Sequence, residues 1–195
     1  RAERGRGEER RGRGVSGGPR VSVVMPVRDA APSVGAAVRS ILDGSLREIE
    51  LICVDDGSED GTPAALAALA AGDPRLRCLR QERLGIVPAL QRGCRAARAP
   101  LLARMDADDW AYPRRLERQL ELLERRPGLG LVGCQVAIEG SAAGPGMQLY
   151  QHWSNGLLEP DEIRRERFVD SPLVHPTWVL RREWLELCGG YQRPP

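Results

Sequence analysis

Aromatic residues are scarce in this chain, 4% of 195 positions against 42% apolar residues overall. A core so poor in Phe, Tyr and Trp has to be built from Leu, Val and Ala, and at this length one domain is the simplest organisation. Long apolar runs are missing too. Arg, Asp or Glu interrupts every stretch before the ~18 residues that a membrane span needs. There is no C-x-x-C pair, the five cysteines (Cys53, Cys78, Cys94, Cys134, Cys188) are odd in number, and the two histidines, His152 and His175, have no cysteine nearby. A zinc site is therefore not expected. Four of the cysteines sit in apolar or helical patterns and are expected as reduced core thiols of a cytosolic protein.

The opening RAERGRGEERRGRGVSGGPR lacks an apolar stretch among its charges and does not read as a signal peptide. It holds seven Arg and three Glu, a net +4 against +2 for the whole chain, so residues 21–195 carry about −2. Such Arg/Gly/Glu low complexity predicts a disordered leader over residues 1–20. No aromatic interleaves its arginines, as single-strand binding would favour, so no nucleic-acid partner is expected.

From Val21 the pattern becomes regular. VSVVMPV is β-rich, and Val34, Ala37, Val38, Ile41 and Leu42 recur at helical spacing before Gly44. IELICVD (Ile49 to Asp55) has almost no polar alternation, as a strand buried on both faces would. In TPAALAALAAG, Thr62 suits the N-cap, Pro63 the first helical position and Gly72 the end. RLRCL, VPALQRGCRAARA and PLLARM then predict a strand, a helix and a strand. A helix opening at Pro113 puts Leu116, Leu120 and Leu123 on one face, and LGLVGCQVAI predicts a fifth strand. Four strand–helix alternations with short connections define an α/β doubly wound, mostly parallel sheet. After Gly140 the rhythm fails, so the chain divides at 21–139 and 140–195.

In such sheets ligands bind at the carboxyl ends of the strands. The stretch after Pro26, the Asp55–Asp56 turn and the Asp106–Asp109 cluster all follow strands and should share one rim. Asp-Gly turns need no ligand, and either carboxylate group alone would be a solvated turn. Their conjunction points instead to a nucleoside diphosphate, one carboxylate serving base or ribose and another a divalent cation on the phosphates. Two other patterns carry nothing. GLGLVG (Gly128 to Gly133) follows a helix and enters a strand, the reverse of a dinucleotide fingerprint. DADDWAYPRRLE begins like a calcium loop, but Trp110, Ala111 and Pro113 occupy positions that such a loop gives to a ligand, a glycine and regular backbone.

VSVVMPVRDAA, VDDGSEDGT, RMDADDWAYPRRLERQ and HPTWVLRREWLELCGGY resemble, in order, four blocks of the inverting family-2 glycosyltransferases, which have the GT-A (nucleotide-diphospho-sugar transferase) fold. The resemblance covers nearly everything from Val21 to Tyr191. It implies a metal-dependent glycosyltransferase using a nucleotide-sugar donor, most often a UDP-sugar, with Mn²⁺ or Mg²⁺. It implies that Pro26, Val27 and Asp29 line the nucleobase pocket, that Asp56 with Asp55 behind it meets uracil or ribose, and that Asp106 faces the ribose and sugar. It implies Asp108 of the D-x-D motif as the metal ligand, with Asp109, His175 and Thr177 on the acceptor side. The acceptor would be a saccharide, a lipid-linked or another hydroxyl, and the place of work the cytoplasm, with a peripheral contact at the membrane face. Two departures stand out: Arg28 replaces a common aromatic, and no catalytic residue is identified. The family's acidic base is expected beyond Pro195, so the C-terminal part is expected to be incomplete. A nucleotidyltransferase would show a Gly- and Lys/Arg-rich phosphate loop where PVRDAAPS stands. A nucleotide-binding pseudoenzyme, or an Arg/Gly-tailed RNA binder, is the non-catalytic rival.

Overall fold

The computed structural model describes residues 17–140 and 143–192; most of the leader, residues 1–16, lies outside the described residues. The elements run β1 (Val21–Val27), α1 (Val34–Leu42), β2 (Ile49–Asp56), α2 (Thr62–Gly72), β3 (Leu76–Gln81), α3 (Ile86–Ala96), β4 (Leu101–Arg104) and α4 (Arg115–Arg125). There follow β5 (Leu131–Val132), α5 (Pro145–Gly156), α6 (Pro160–Glu166), a 3-10 turn at His175–Thr177, β6 (Val179–Arg181) and α7 (Arg182–Leu187). The sheet order is β3-β2-β1-β4-β6-β5. β1 to β4 are mutually parallel. β6 runs antiparallel to both β4 and β5, so it is the one reversed strand of a mostly parallel sheet.

The apolar runs explain the layers. Every residue of β2 is buried, because α1 and α2 pack on one face and α3 on the other, while α4 and α7 cover the sheet further along, beside β6. β3 is the edge strand and alternates, with Cys78 outward. At the amino ends of the strands Glu50, 1% exposed, binds Ser22, Arg77 and Arg98. Burial works against its ionised form, yet these partners hold its carboxyl below the ordinary range. The charge there is internally satisfied.

Four sequence expectations change. The fifth strand contracts to two residues at the sheet edge, because β6 takes the place beside β4. Beyond it, Val136 and Ile138 donate their N–H groups to the side chains of Asn155 and Gln151 on α5 instead of to a strand. Thr62 is not the cap of α2: it lies inside the helix, and its Oγ1 accepts from Ala30 N at 2.8 Å. The helix after Pro113 begins at Arg115, and Pro113 O accepts from Ser45 N instead. Finally, of the cysteines only Cys53 is buried. Cys78, Cys134 and Cys188 are exposed and Cys94 is intermediate, all five as free thiols.

Candidate functional site

The parallel register puts the ends of β1 and β2 side by side, with Val27 opposite Asp55. Val27 is 2% exposed and its side chain belongs to the core, while Pro26 is half-buried above it. The chain then turns sharply at Asp29, which takes φ +45°, a left-handed conformation that costs a non-glycine residue strain. Cross-loop bonds compensate. Asp29 N donates to Ser58 Oγ at 3.0 Å, Glu59 N donates to Asp29 Oδ1 at 2.9 Å, and Ala31 N donates to Asp60 Oδ2 at 3.1 Å.

The two aspartates of DDGS have different surroundings. Asp55 Oδ1 accepts from Ser58 N at 2.9 Å, closing the turn. Its Oδ2 is buried without a hydrogen bond and has only Arg80 Nε at 3.5 Å, an ionic contact too long to be a good hydrogen bond. Asp56, 4% exposed, holds the loop after β3: Oδ1 accepts from Gln81 Nε2 at 2.7 Å and Leu84 N at 2.9 Å, and Oδ2 from Gly85 N at 2.8 Å. Burial opposes its charge, but these three bonds and the nearby Arg28 keep its carboxyl below the ordinary range. Gly57 lets this turn approach Arg83 closely. It has φ +72°, and a Cβ there would lie 2.9 Å from Arg83 N.

After β4 the acidic cluster divides. Asp106 is gripped by Arg104 through two contacts, Nη1 to Oδ2 at 2.6 Å and Nη2 to Oδ1 at 2.5 Å. Arg104 is itself 5% exposed, and its Nε has no partner. Burial raises the Asp106 carboxyl, and Arg104 opposes that rise. Asp109 is also raised, by lost solvation and then by the Asp106 and Asp108 charges. Asp108 is exposed, and among the described residues no hydrogen bond or ion pair occupies its carboxylate.

The third part of the rim comes from the distant His175–Thr177 turn, and α4 carries it there. Arg115 Nη2 donates to Arg104 O at 2.8 Å and to Pro176 O at 2.7 Å. Gln119 Nε2 donates to Thr177 O at 2.7 Å and Val132 O at 3.2 Å. His175 Nε2 meets Tyr191 Oη at 3.1 Å, and its ring packs edge-on against Trp178 at 4.5 Å. Burial, with Arg104 adding to it, pushes the His175 imidazole down to about 4. Burial also pushes the Tyr191 hydroxyl up to about 12. Thr177 is 5% exposed and donates its hydroxyl to Val174 O at 2.6 Å, so it shapes the turn and does not face solvent.

Sequence reasoning missed Arg104, Arg115, Gln119 and Tyr191. Arg104 had a signal, a lone cation inside an otherwise buried apolar strand and two residues before a carboxylate. The others had none, because their partners are backbone carbonyls or a ring far away in sequence.

No group of three or more His, Cys, Asp or Glu residues among those described is arranged to hold a metal on its own. The donor chemistry nevertheless fits Mn²⁺ or Mg²⁺. Such ions take one or two carboxylates and complete their shell with substrate phosphates and waters, and Asp108 offers a carboxylate with no competing partner.

A parallel α/β sheet with one reversed strand and its acidic turns on the carboxyl rim matches the GT-A fold of solved glycosyltransferases. The profile described as glycosyl transferase family 2 matches residues 22–189, and the chain belongs to that family. EpsE of Bacillus subtilis (strain 168), which carries a glycosyltransferase name, is 33% identical over 180 residues, 91% of this chain and 62% of that protein. The succinoglycan biosynthesis protein ExoO of Rhizobium meliloti (strain 1021) is 34% identical over 122 residues, 62% of this chain and 33% of that one. Among solved structures, the mannosyltransferase PcManGT from Pyrobaculum calidifontis, in complex with GDP-Man and Mn²⁺, superposes with a TM-score of 0.67 at 25% identity, covering 90% of this chain and 48% of that one. S. aureus TarS (residues 1–349) in complex with UDP-GlcNAc has the same TM-score, 0.67, at 15% identity over 89% of this chain and 48% of that one, a likeness of fold. The chain thus spans less than two thirds of the length of each of these proteins.

Proposed function

We propose that this chain holds a nucleoside-diphosphate sugar on the carboxyl rim and serves transfer of the sugar to an acceptor hydroxyl with inversion, aided by Mn²⁺ or Mg²⁺. One observation carries the reading: Asp106 is pinned by a buried arginine while Asp108, two residues on, has a free, exposed carboxylate. Asp29, Asp55, Asp56 and the Pro26–Val27 backbone would surround the nucleoside. Asp106, already oriented, would accept from the ribose and sugar hydroxyls, and Asp108 would ligate the cation. When bound, the cation supplies positive charge against the departing diphosphate.

Asp109 and His175 lie on the acceptor side of this arrangement, with Thr177 and α4 fixing the turn that carries His175. Neutral at pH 7, His175 would offer a hydrogen bond to an acceptor without adding charge. The acceptor hydroxyl would attack from the face opposite the diphosphate and lose its proton to a carboxylate; no described residue is assigned that role. A saccharide or lipid-linked acceptor fits this class of reaction, with the work done in the cytoplasm or at its membrane face. Among the described residues no helix is long and apolar enough to cross a membrane. PcManGT with GDP-Man and TarS with UDP-GlcNAc show this fold admitting either base.

The test is calorimetric titration of UDP and GDP with Mn²⁺ and again with chelator. Binding should require the metal and should weaken by roughly 100-fold or more in Asp108→Ala, the scale of a lost charged partner. The melting temperature should hold or rise, because removing Asp108 relieves repulsion on Asp106 and Asp109. Equal affinities for wild type and variant would overturn the metal role.

A further inference from the structure

Arg28 is a cation that the fold leaves largely unused. It follows β1 directly, its side chain is 38% exposed, and its Nε lies 3.4 Å from Asp29 Oδ2. Among the described residues no hydrogen bond engages its two terminal amino groups. The register sets Arg28 one step beyond Val27 and Asp56 one step beyond Asp55, on neighbouring parallel strands. The Asp56 carboxylate feels the Arg28 charge. Asp56 in turn has three of its four acceptor positions filled by Gln81, Leu84 and Gly85, which leaves one open on Oδ2. Beside it the loop presents Leu84 and Ile86, each 52% exposed, an apolar wall for a flat ring.

We propose that Arg28, the open acceptor position of Asp56 and the Leu84–Ile86 wall form a base-reading pocket that selects guanine, so that the donor is a guanosine-diphosphate sugar. This rests on the proposed nucleoside-diphosphate function of the same rim. A single open acceptor on Asp56 takes one N–H, which guanine (N1–H) and uracil (N3–H) offer from the ring and adenine and cytosine from their exocyclic amino groups. Arg28 then decides among them, because the amino group of adenine or cytosine would set a donor against the guanidinium. Guanine sets O6 and N7 side by side in the ring plane, where a guanidinium fork donates to both. Uracil offers O4 alone. The choice departs from the uridine nucleotide that the family resemblance implies, at the position where this chain departs from the family pattern.

An arginine fork also fits a diphosphate, and the experiment separates the two. Dissociation constants are measured with Mn²⁺ for GDP, UDP and 7-deaza-GDP, in which a C–H replaces N7, on wild type, Arg28→Lys and Arg28→Ala. On wild type GDP should bind about 10-fold or more tighter than UDP, within the range of one bidentate base contact. 7-Deaza-GDP should lose most of that advantage, a result that needs no variant. Arg28→Ala should bind GDP and UDP alike, while Arg28→Lys, whose ammonium can still reach O6 and N7 but lacks the planar fork, should keep only part of the preference for GDP. UDP binding as tightly as GDP to wild type would overturn the proposal and leave the nucleoside-diphosphate reading standing. Equal weakening of both nucleotides by Arg28→Ala would place Arg28 on the diphosphate and overturn it as well. Failure of wild type to bind either nucleotide would sink both readings.

Discussion

The stretch from Val21 to Val132 and the stretch from Pro145 to Gln192 are built differently. In the first, a parallel sheet is sandwiched between helices, and β1, β2 and β4 disappear almost entirely into two apolar clusters. In the second, Leu149, Leu158, Phe168, Val169 and Leu187 are 66–84% exposed, and little among the described residues covers them. The second stretch lends one three-residue strand to the sheet of the first and packs Trp178, Leu180 and Leu185 into one of its apolar clusters, while its own helices are tied more loosely by polar contacts such as Asn155 Nδ2 to Val136 O at 2.7 Å and Tyr150 Oη to Ser171 O at 3.0 Å. The difference bears on function. A donor site needs groups fixed to fractions of an ångström, and that precision comes from rigid neighbours. The carboxylates of the rim all stand in the sandwiched sheet or in the loops directly after its strands. From the looser stretch the His175–Thr177 turn is tied to α4, Arg115 donating to Pro176 O and Gln119 to Thr177 O.

The sharpest way to break that comparison is to damage the sandwich. Ile52, 0% exposed in the middle of β2, packs with Val54, Ala89 and Leu102. Ile52→Ala should cost about 2–5 kcal/mol, the lost transfer energy plus the cavity that close neighbours cannot fill. Urea unfolding measures it. A cost under about 1 kcal/mol would mean that the sheet is no better packed than an ordinary surface.

The same contrast explains what could be read in the sequence. Largely apolar runs such as IELICV have no solvent face, so they announce a covered parallel strand, and the fold up to β4 followed from them. The fifth strand was over-read because GLVGCQVAI carries the same composition. Its outer half gives its N–H groups to Asn155 and Gln151, partners that no local pattern reveals. β6 was hidden for a related reason. A three-residue strand is shorter than any period, and its place between β4 and β5 depends on register alone.

A second, smaller effect should appear where the two stretches join. His175 is held neutral by burial, its imidazole at about 4 against the ordinary 6.5. A histidine whose folded value is depressed contributes stability that is fully present above the unfolded value and is lost as pH falls from about 6.5 to 4. Roughly 1–3 kcal/mol should go over that window. His175→Gln should flatten the loss. Fluorescence of Trp178, packed on the same ring, would report the joint in particular. Identical pH profiles for wild type and variant would place the acid sensitivity elsewhere.

The site was legible to a different degree from the fold. Carboxylates after strands were visible in the sequence, and so was their convergence, since both follow from element order. Their division of labour was not. Asp55 and Asp56 look interchangeable in sequence, yet one closes its own turn and the other holds a loop 25–29 residues away. Asp106 and Asp108 look like twins until Arg104 is seen gripping one of them. Side-chain partners are set by tertiary contact, and a one-dimensional pattern carries no record of it.

The smallest effect tests the looser stretch itself. Leu187 is 84% exposed at the end of α7, and its removal takes away little buried area, so Leu187→Ala should change stability by no more than about 0.5 kcal/mol. Phe168 is 83% exposed but lies under the Arg167 guanidinium, 4.3 Å from its ring centroid. Exposed contacts of that kind contribute about 0.5–1 kcal/mol, so Phe168→Ala should cost slightly more than Leu187→Ala. Thermal melts of the two variants beside Ile52→Ala decide the matter on one scale. If either surface variant lost as much as the core variant, these side chains would be packed against something in solution, and the difference between the two stretches would lie in what covers them, not in how they are built.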